Sequence, residues 1–302
     1  MKVFVTGVGG QLGHDVMCEL KSRNIEAVGT DIAEKYSGIT GTAAEKMPYI
    51  SLDITDKAAV DRAINEIKPD AVIHCAAWTA VDAAEQPENR EKVWAVNVTG
   101  TENIAVACKS INVKMMYIST DYVFNGQGNE PWEADCNDFA PLNVYGESKL
   151  YGEKAVAKTL EKYFIVRIAW VFGLNGNNFI KTMLNVGKKF PQLRVVDDQI
   201  GTPTYTLDLS RLLVDMISTE KYGCYHATNE GGYISWYDFD CEIFKQAGYD
   251  TLVKPVTTQE YGLSAAVRPF NSRLNKSKLS ANGFKLLPDW KDALSRYLEE
   301  IK

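Results

Sequence analysis

A tyrosine and a lysine, Tyr145 and Lys149, stand four residues apart in the segment PLNVYGESK. Residues at this spacing share one face of a helix. A nearby ammonium favours the phenolate form of a tyrosine, so the pair suits general acid–base chemistry near neutral pH. Thr120, at the end of an apolar run in the earlier segment ISTDYVFNG, can present a second hydroxyl to the same substrate oxygen. The three residues together predict proton exchange with a carbonyl oxygen.

A glycine-rich loop, TGVGGQLG, follows the first apolar run and leads into a helical pattern. Gly7, Gly10 and Gly13 fit a variant of the dinucleotide fingerprint, in which glycines let backbone N–H groups approach a pyrophosphate at a helix N-terminus. Gln11 and Leu12 lie within this loop and are included in the predicted cofactor site. The loop predicts a bound nicotinamide dinucleotide.

Further candidates for the cofactor site follow later strands. Asp31 ends the second apolar run, where a carboxylate can accept hydrogen bonds from the adenosine ribose. This favours NADH, but Lys35 can offset the charge, so NADPH stays open. Asp53 could frame the adenine with its neighbour, or could equally cap the next helix. The remaining candidates are the neighbour Ile54 and two small residues that leave room for a cofactor, Ala76 and Ala77.

The elements that must position these residues alternate along the first half of the chain. Short apolar runs occur at 2–7, 26–31, 49–53, 71–77, 113–120 and 163–173, with amphipathic helical patterns between them. Near-continuous apolar strands separated by helices are typical of a parallel sheet covered on both faces. We therefore predict an α/β fold with a doubly wound parallel sheet of the Rossmann, NAD(P)-binding type.

The alternation loosens after about residue 173. Helical patterns near 177–189, 206–218, 235–246 and 288–300 are separated by turn-rich segments. We predict a dinucleotide-binding domain over 1–172, to which 200–226 could add, and a smaller α+β domain over 173–302 that mainly binds the substrate.

Composition excludes several classes of protein. The chain has 302 residues, 45% of them hydrophobic, and a net charge of -6, which opposes a nucleic-acid partner. Six cysteines without a C-x-x-C pair oppose a disulfide framework and favour the reducing cytoplasm. The sequence shows neither a signal segment nor a run of ~18 apolar residues, so we do not expect a membrane-spanning segment. The oligomeric state, monomer or homodimer, is left open.

The chain resembles the extended short-chain dehydrogenase/reductase family in TGVGGQLG, in NVTGTENI from Asn97 to Ile104, and in Tyr145 with Lys149. It is similar to the nucleotide-sugar reductases of that family in further segments between residues 76 and 274, namely AAWTAVDAAE, ISTDYVFNG, PLNVYGESKLYGE, AWVFGLNGNNFIKTML, VVDDQIGTPTYTLDL and RPFNSRL. This resemblance implies that the protein reduces the C4 ketone of a nucleotide-linked keto sugar with NADPH or NADH.

The resemblance also implies roles for individual residues. Thr120, Tyr145 and Lys149 would be catalytic. Trp78, where the family usually has a His, and Asn97 would contact the cofactor. Arg268 would meet the nucleotide diphosphate. Trp170 would border the sugar, with a core residue at a strand end as the less favoured alternative. The other implied substrate contacts are Asp121 and Tyr122, near the sugar, and Asn178, which with Asn177 belongs to the segment that enters the substrate cleft.

Three alternatives stay open. An epimerase would share the fold and the cofactor, and would keep its nicotinamide tightly bound. A 4,6-dehydratase is disfavoured because related dehydratases carry an Asp-Glu pair after the Thr, whereas Asp121 and Tyr122 follow Thr120. A non-catalytic regulatory subunit of this fold would not need Thr120, Tyr145 and Lys149 together. The histidines show no metal-ligand spacing, and Mg²⁺, if used, would bind to the substrate diphosphate.

Overall fold

The computed structural model describes residues 1–302 and has thirteen strands. The strands are β1 (Lys2–Thr6), β2 (Glu26–Asp31), β3 (Tyr49–Ser51), β4 (Ala71–His74), β5 (Lys114–Thr120), β6 (Tyr163–Ile168), β7 (Val171–Phe172), β8 (Gln192–Val196), β9 (Ile200–Gly201), β10 (Thr204–Tyr205), β11 (Gly223–His226), β12 (Ile234–Ser235) and β13 (Leu252–Val256). The six apolar runs of the first half all contain strands.

Twelve α-helices connect the strands. They are α1 (Gln11–Ser22), α2 (Lys57–Ile67), α3 (Val81–Ala84), α4 (Pro87–Trp94), α5 (Thr101–Ser110), α6 (Val144–Thr159), α7 (Phe179–Gly187), α8 (Thr206–Ile217), α9 (Trp236–Ala247), α10 (Thr258–Tyr261), α11 (Ser277–Ala281) and α12 (Trp290–Glu300). A π-helical segment, Ala95–Gly100, joins α4 to α5, and a 3₁₀ turn, Asp121–Val123, follows β5. The helices expected near 177–189, 206–218, 235–246 and 288–300 are present.

A seven-stranded parallel sheet forms the centre of the molecule, in the order β11-β6-β5-β4-β1-β2-β3. The order reverses between β1 and β4, and the carboxyl ends of the strands at such a point form a crevice that binds ligands. The predicted doubly wound parallel sheet is confirmed.

Helices cover both faces of this sheet because its strands are apolar on both sides. On one face, α1 and α8 pack against residues such as Val5 and Val166. On the other face, α2, α5 and α6 pack against residues such as Phe4 and Ile165. The two cores fix the strand ends from which the site residues project.

A third core, rich in aromatic side chains, lies among α7, α9 and α12 and includes Phe172, Phe239 and Trp290. Three two-stranded pairs, β7 with β10, β9 with β12 and β8 with β13, connect the loops of this part. The seventh strand of the central sheet, β11, also comes from the second half of the chain. The division at residue 172 remains a prediction. No helix of the structure has the length and apolar character needed to cross a bilayer.

Candidate active site

One cavity of about 1190 Å³ opens at the carboxyl ends of the strands, and its wall includes the glycine-rich loop, the end of β5 and the first turns of α6. Apart from Asn97 and Asn178, every residue predicted for the site lines this cavity. Ligand pockets commonly measure ~300–1,000 Å³. The cavity is therefore large enough to hold two ligands side by side.

Thr120 and Tyr145 reach the cavity from two elements that touch closely. Thr120 ends β5 and caps the 3₁₀ turn by accepting a hydrogen bond from Tyr122 N at 3.2 Å. Asn143 caps α6 by accepting from Gly146 N at 2.8 Å. A Cβ on Gly146 would lie 2.3 Å from the Tyr122 carbonyl oxygen. A glycine at this position is thus needed for α6 to bring Tyr145 beside the turn after β5.

Lys149 lies one helical turn after Tyr145 and is only 3% exposed. Its Nζ donates to the Ile118 carbonyl oxygen at 2.7 Å and lies 4.1 Å from the centre of the Tyr117 ring. Burial lowers the pKa of Lys149 to about 7, although the Glu153 carboxylate opposes this change. The ammonium is thus held in place before any ligand binds.

The electrostatics of Tyr145 differ from the sequence-based expectation. Burial is the main cause of a raised pKa, the Asp121 carboxylate adds to it, and the Thr120 hydroxyl opposes it. In this structure burial and Asp121 therefore outweigh any lowering of this pKa by Lys149. Tyr145 is protonated at neutral pH, which is the form that a proton donor requires.

Asp121 is 2% exposed at the base of the cavity, beside Thr120. The Thr120 hydroxyl donates to Asp121 Oδ1 at 3.0 Å, and Oδ2 has no hydrogen-bond partner. Burial raises the pKa of this carboxyl to about 6, against the effect of the Ser272 and Thr120 hydroxyls. Buried polar atoms are normally hydrogen-bonded. Oδ2 is thus a buried acceptor whose hydrogen-bonding capacity is not filled within the protein.

The glycine-rich loop has the shape expected of a pyrophosphate cradle. Gly7 has φ +73°, and a Cβ there would lie 2.5 Å from Ala76 N, while a Cβ on Gly13 would lie 2.2 Å from the Gly7 carbonyl oxygen. The N–H groups of Gln11 and Leu12, in the first turn of α1, have no acceptor in the protein. These free donors at a helix N-terminus fit a phosphate group.

The far end of the cavity would receive the adenosine. Asp31 lies there, but both of its oxygens already accept main-chain hydrogen bonds, from Gly9 N at 2.9 Å and from Ile32 N at 2.8 Å. Asp53 accepts from Thr55 N and Thr55 Oγ1, and the side chain that caps α2 is that of Asp56. Ile54 lines the cavity next to Asp53.

Trp78 lines the cavity beside Ala76 and Ala77, whereas Asn97 lies behind it. Asn97 Oδ1 accepts from Trp78 N at 2.8 Å, and its Nδ2 donates to Trp78 O at 3.1 Å and Ser148 Oγ at 2.9 Å. The Asn97 amide therefore holds the loop after β4 against α6, and in this structure it makes no contact with the cavity.

Aromatic side chains form a further part of the cavity wall. The indole of Trp170 stacks on that of Trp236, with centroids 3.8 Å apart and planes at 15°. On Gly201, a Cβ would lie 2.8 Å from Trp170 Cε2. Trp170 also has φ +50°, a conformation that few non-glycine residues adopt. The tryptophan is therefore held by its neighbours in a strained backbone conformation.

Two predicted substrate residues are engaged with the protein. Asn178 caps α7, and its Nδ2 donates to Gly173 O, Tyr297 Oη and Gln11 Oε1, so its neighbour Asn177 lines the cavity instead. Arg268 lines the cavity, and its guanidinium makes two hydrogen bonds to Asp82, at 3.1 and 2.7 Å.

Sequence reasoning missed Trp236, Phe239 and Phe179, which complete the aromatic wall. The segment SWYD carries a signal for the start of a helix, because Ser235 and Asp238 form a capping box. That signal places Trp236 at the first position of α9 but does not indicate which side chain it meets. No group of three or more His, Cys, Asp or Glu side chains converges as a metal site would require.

Comparison with known proteins identifies the family. The model of the family described as "RmlD substrate binding domain" matches residues 1–302. The chain belongs to this family.

Relatives and solved structures are similar to the chain over nearly its full length. The dTDP-4-dehydrorhamnose reductase of Streptomyces griseus is 37% identical to the chain, over 97% of this chain and 91% of that protein. A dTDP-4-dehydrorhamnose reductase structure from Clostridium acetobutylicum is 40% identical, with a TM-score of 0.90, and covers 100% and 99% of the two chains. One from Bacillus anthracis in complex with NADP is 40% identical, with a TM-score of 0.89 and coverage of 99% of each chain.

Proposed function

We propose that this protein is a dTDP-4-dehydrorhamnose reductase, which reduces the C4 ketone of dTDP-4-dehydro-L-rhamnose to give dTDP-L-rhamnose. The observation that carries the proposal is the meeting of Thr120, the protonated Tyr145 and Lys149 in one cavity with the glycine-rich loop. The names of the relatives, at 37% and 40% identity over nearly the full length, support the substrate.

In this proposal the glycine-rich loop and the N-terminus of α1 hold the diphosphate of NADPH or NADH. Asp31, Asp53 and Ile54 surround the adenosine, while Lys149 binds the nicotinamide ribose. The reduced nicotinamide supplies a hydride to the sugar C4. Because both Asp31 oxygens already bind main-chain N–H groups, Asp31 favours NADH over NADPH less strongly than an unpaired carboxylate would. The NADP bound to the Bacillus anthracis protein supports NADPH.

Tyr145 acts as the general acid on the sugar O4. As the ketone oxygen gains negative charge, the phenol transfers its proton to it, and the C4 alcohol forms. The Thr120 hydroxyl turns from Asp121 Oδ1 to the same oxygen and stabilises that charge. The Lys149 ammonium, 3% exposed, stabilises the phenolate that remains.

In the proposal the substrate lies against the aromatic part of the cavity wall. Trp170, stacked on Trp236, offers an indole surface to the sugar ring, and Asp121 Oδ2 accepts a hydrogen bond from a ligand hydroxyl. Arg268 exchanges part of its pairing with Asp82 for the nucleotide diphosphate, because a guanidinium binds phosphate strongly.

The experiment that tests the proposal follows nicotinamide absorbance with dTDP-4-dehydro-L-rhamnose generated in the assay, for NADPH and NADH in parallel. We expect oxidation of the cofactor with an equal amount of dTDP-rhamnose formed. Cofactor binding without oxidation would contradict the proposed substrate and would favour another 4-keto sugar nucleotide or a regulatory subunit. A cofactor that copurifies in equal amount with the protein would favour an epimerase.

We further infer that the protein works in the cytoplasm, as a monomer or homodimer. Six cysteines without a disulfide support a reducing compartment. Light scattering of the purified protein measures the oligomeric state, and fractionation of the cells measures the location.

A further inference from the structure

Residues 173–178, with the sequence GLNGNN, form a loop between β7 and α7 that we call the asparagine loop. Its backbone is held by a side chain of the helix that follows it, α7. Lys181 Nζ donates to the carbonyl oxygens of Leu174, at 2.6 Å, and Gly176, at 2.8 Å. Because of these two hydrogen bonds, we expect a displacement of residues 174–176 to move the start of α7 as well.

This loop is docked on the glycine-rich loop by two side chains. Asn175, only 6% exposed, donates from Nδ2 to the carbonyl oxygens of Gly9, at 2.8 Å, and Gly10, at 3.2 Å. Asn178 Nδ2 lies 3.2 Å from Gln11 Oε1. No side chain from outside the asparagine loop donates to the carbonyl oxygens of Gly9 and Gly10.

The carbonyl groups that Asn175 holds belong to the peptide planes before Gly10 and before Gln11. A trans peptide is planar with its C=O and N–H pointing in opposite directions, so fixing the oxygen also fixes the direction of the N–H. Gln11 N–H is one of the free donors at the N-terminus of α1. The Asn175 side chain itself does not line the cavity.

We propose that Asn175 is a positioning residue that keeps the glycine-rich loop in the shape that binds the cofactor diphosphate, and that it couples cofactor binding to the substrate cleft. The coupling runs through the asparagine loop, because Asn177 and the first residue of α7, Phe179, both line the cavity. Coupling between two binding sites is reciprocal, so each ligand strengthens binding of the other by the same factor. The inference rests on the cofactor of the proposed function and does not depend on which keto sugar is reduced.

The first test measures the Kd for NADPH by its fluorescence, without substrate, for wild type and for Asn175→Ala and Asn175→Asp. Loss of buried hydrogen bonds should weaken binding about tenfold in Asn175→Ala. Asn175→Asp should weaken it further, because a carboxylate repels the two carbonyl oxygens. At saturating NADPH, kcat should fall much less than KM for NADPH rises. A Kd within about twofold of wild type in folded Asn175→Ala would overturn the proposal.

Asn65→Ala is the matched control, because Asn65 is an exposed residue of α2 that donates to the Asp61 carbonyl oxygen. We expect wild-type NADPH binding from it. If Asn175→Ala does not fold, Asn175→Ser carries the test with the same expected direction, since it keeps a polar group at the position.

The second test measures binding of dTDP with and without NADP⁺. In wild type we expect the two ligands to strengthen each other, and in Asn175→Ala the ratio of dTDP Kd values should approach one. If the ratio of dTDP Kd values without and with NADP⁺ were the same in Asn175→Ala as in wild type, the proposed coupling would be wrong. Wild type that binds NADPH but reduces no dTDP-4-dehydro-L-rhamnose would contradict the proposed reaction alone, whereas unchanged NADPH binding in Asn175→Ala would contradict this inference alone.

Discussion

Tyr145 and Lys149 share one face of α6, yet burial acts on them in opposite senses. It raises the pKa of the phenol and lowers that of the ammonium to about 7. Reduction of a ketone consumes a proton, so the donor must be protonated before the hydride arrives. The free enzyme therefore holds the phenol in the protonated form that reduction requires, and a phenolate forms only when the proton has been transferred.

Tyr145→Phe tests this role directly. The variant keeps the aromatic ring but lacks the hydroxyl that donates the proton. General acid catalysis increases a reaction rate ~10²- to 10⁴-fold. We expect kcat to fall by about that factor, with the Kd for NADPH unchanged within about twofold. Tyr151→Phe is the control, because Tyr151 is an exposed residue of the same helix, 44% accessible. Near wild-type kcat in Tyr145→Phe would exclude the phenol as the acid.

Lys149 predicts a pH dependence of the reaction. Its pKa is lowered to about 7 in the free enzyme, so the ammonium is present below that pH and is lost as the pH rises through it. The pH profile of kcat/KM reports groups of the free enzyme, and we expect it to decline above about pH 7. Lys149→Ala should lower kcat/KM strongly and remove this decline.

Lys154→Ala, a change of an exposed lysine on the same helix, should leave the profile as it is in wild type. A wild-type profile that stays flat between about pH 6 and pH 9 would show that Lys149 does not titrate in this range.

At the scale of elements, the strand ends explain what could be predicted from the sequence. Thr120, Asp31 and Ala76 each follow an apolar run, and parallel strands bring their carboxyl ends to one edge. The spacing of Tyr145 and Lys149 indicates a shared helical face without further knowledge. These features are local in sequence, so they can be recognised from one sequence alone.

Contacts between distant elements could not be predicted in this way. Asn97 and Asn178 are polar residues within family motifs, but the Asn97 amide holds the backbone of Trp78. The Asn178 amide contacts the side chains of Gln11 and Tyr297. A sequence does not distinguish an amide that binds a ligand from one that caps a helix. Trp236 was missed because its partner, Trp170, lies 66 residues earlier, on another element.

The packing of α9 on the loop after β6 leads to a further prediction. Trp236→Ala removes the surface on which Trp170 stacks, so the strained Trp170 should lose its position. We expect KM for the keto sugar to rise about tenfold, since an aromatic pair contributes ~0.5–1.5 kcal/mol beyond its buried area. The Kd for NADPH should stay unchanged.

Trp236→Phe is the matched variant, because it keeps a ring against Trp170. It should retain most of the affinity for the sugar, although the exciton signal of the two indoles in circular dichroism should disappear. Equal KM values in Trp236→Ala and wild type would show that Trp170 does not depend on this stack.

At the scale of the whole molecule, Asp240 in α9 sets a pH dependence of stability. It is fully buried, and neither of its oxygens has a hydrogen-bond partner. Burial raises its pKa from 3.8 to about 7. The folded state therefore binds this proton more tightly than the unfolded state, and the stability that it contributes is lost as pH rises from about 4 to about 7.

Asp240→Asn removes that loss because an amide does not ionise. We expect the variant to exceed wild type in free energy of unfolding by about 1–3 kcal/mol at pH 8 and by much less at pH 5. Urea titrations at both pH values measure the difference. Asp250→Asn, at an exposed position, should change stability little at either pH. A gain for Asp240→Asn of equal size at pH 5 would contradict the role of ionisation.

The strand β11, the last of the seven in the chain, forms one edge of the central sheet, and it pairs with β6 from Gly223↔Phe164 to His226↔Arg167. Until residues 223–226 have left the ribosome, the nascent chain carries β6 as an uncovered edge. Such an edge is a template for pairing with other chains. Slow translation of residues 168–223 would therefore prolong the period in which the nascent chain is prone to aggregate and depends on chaperones.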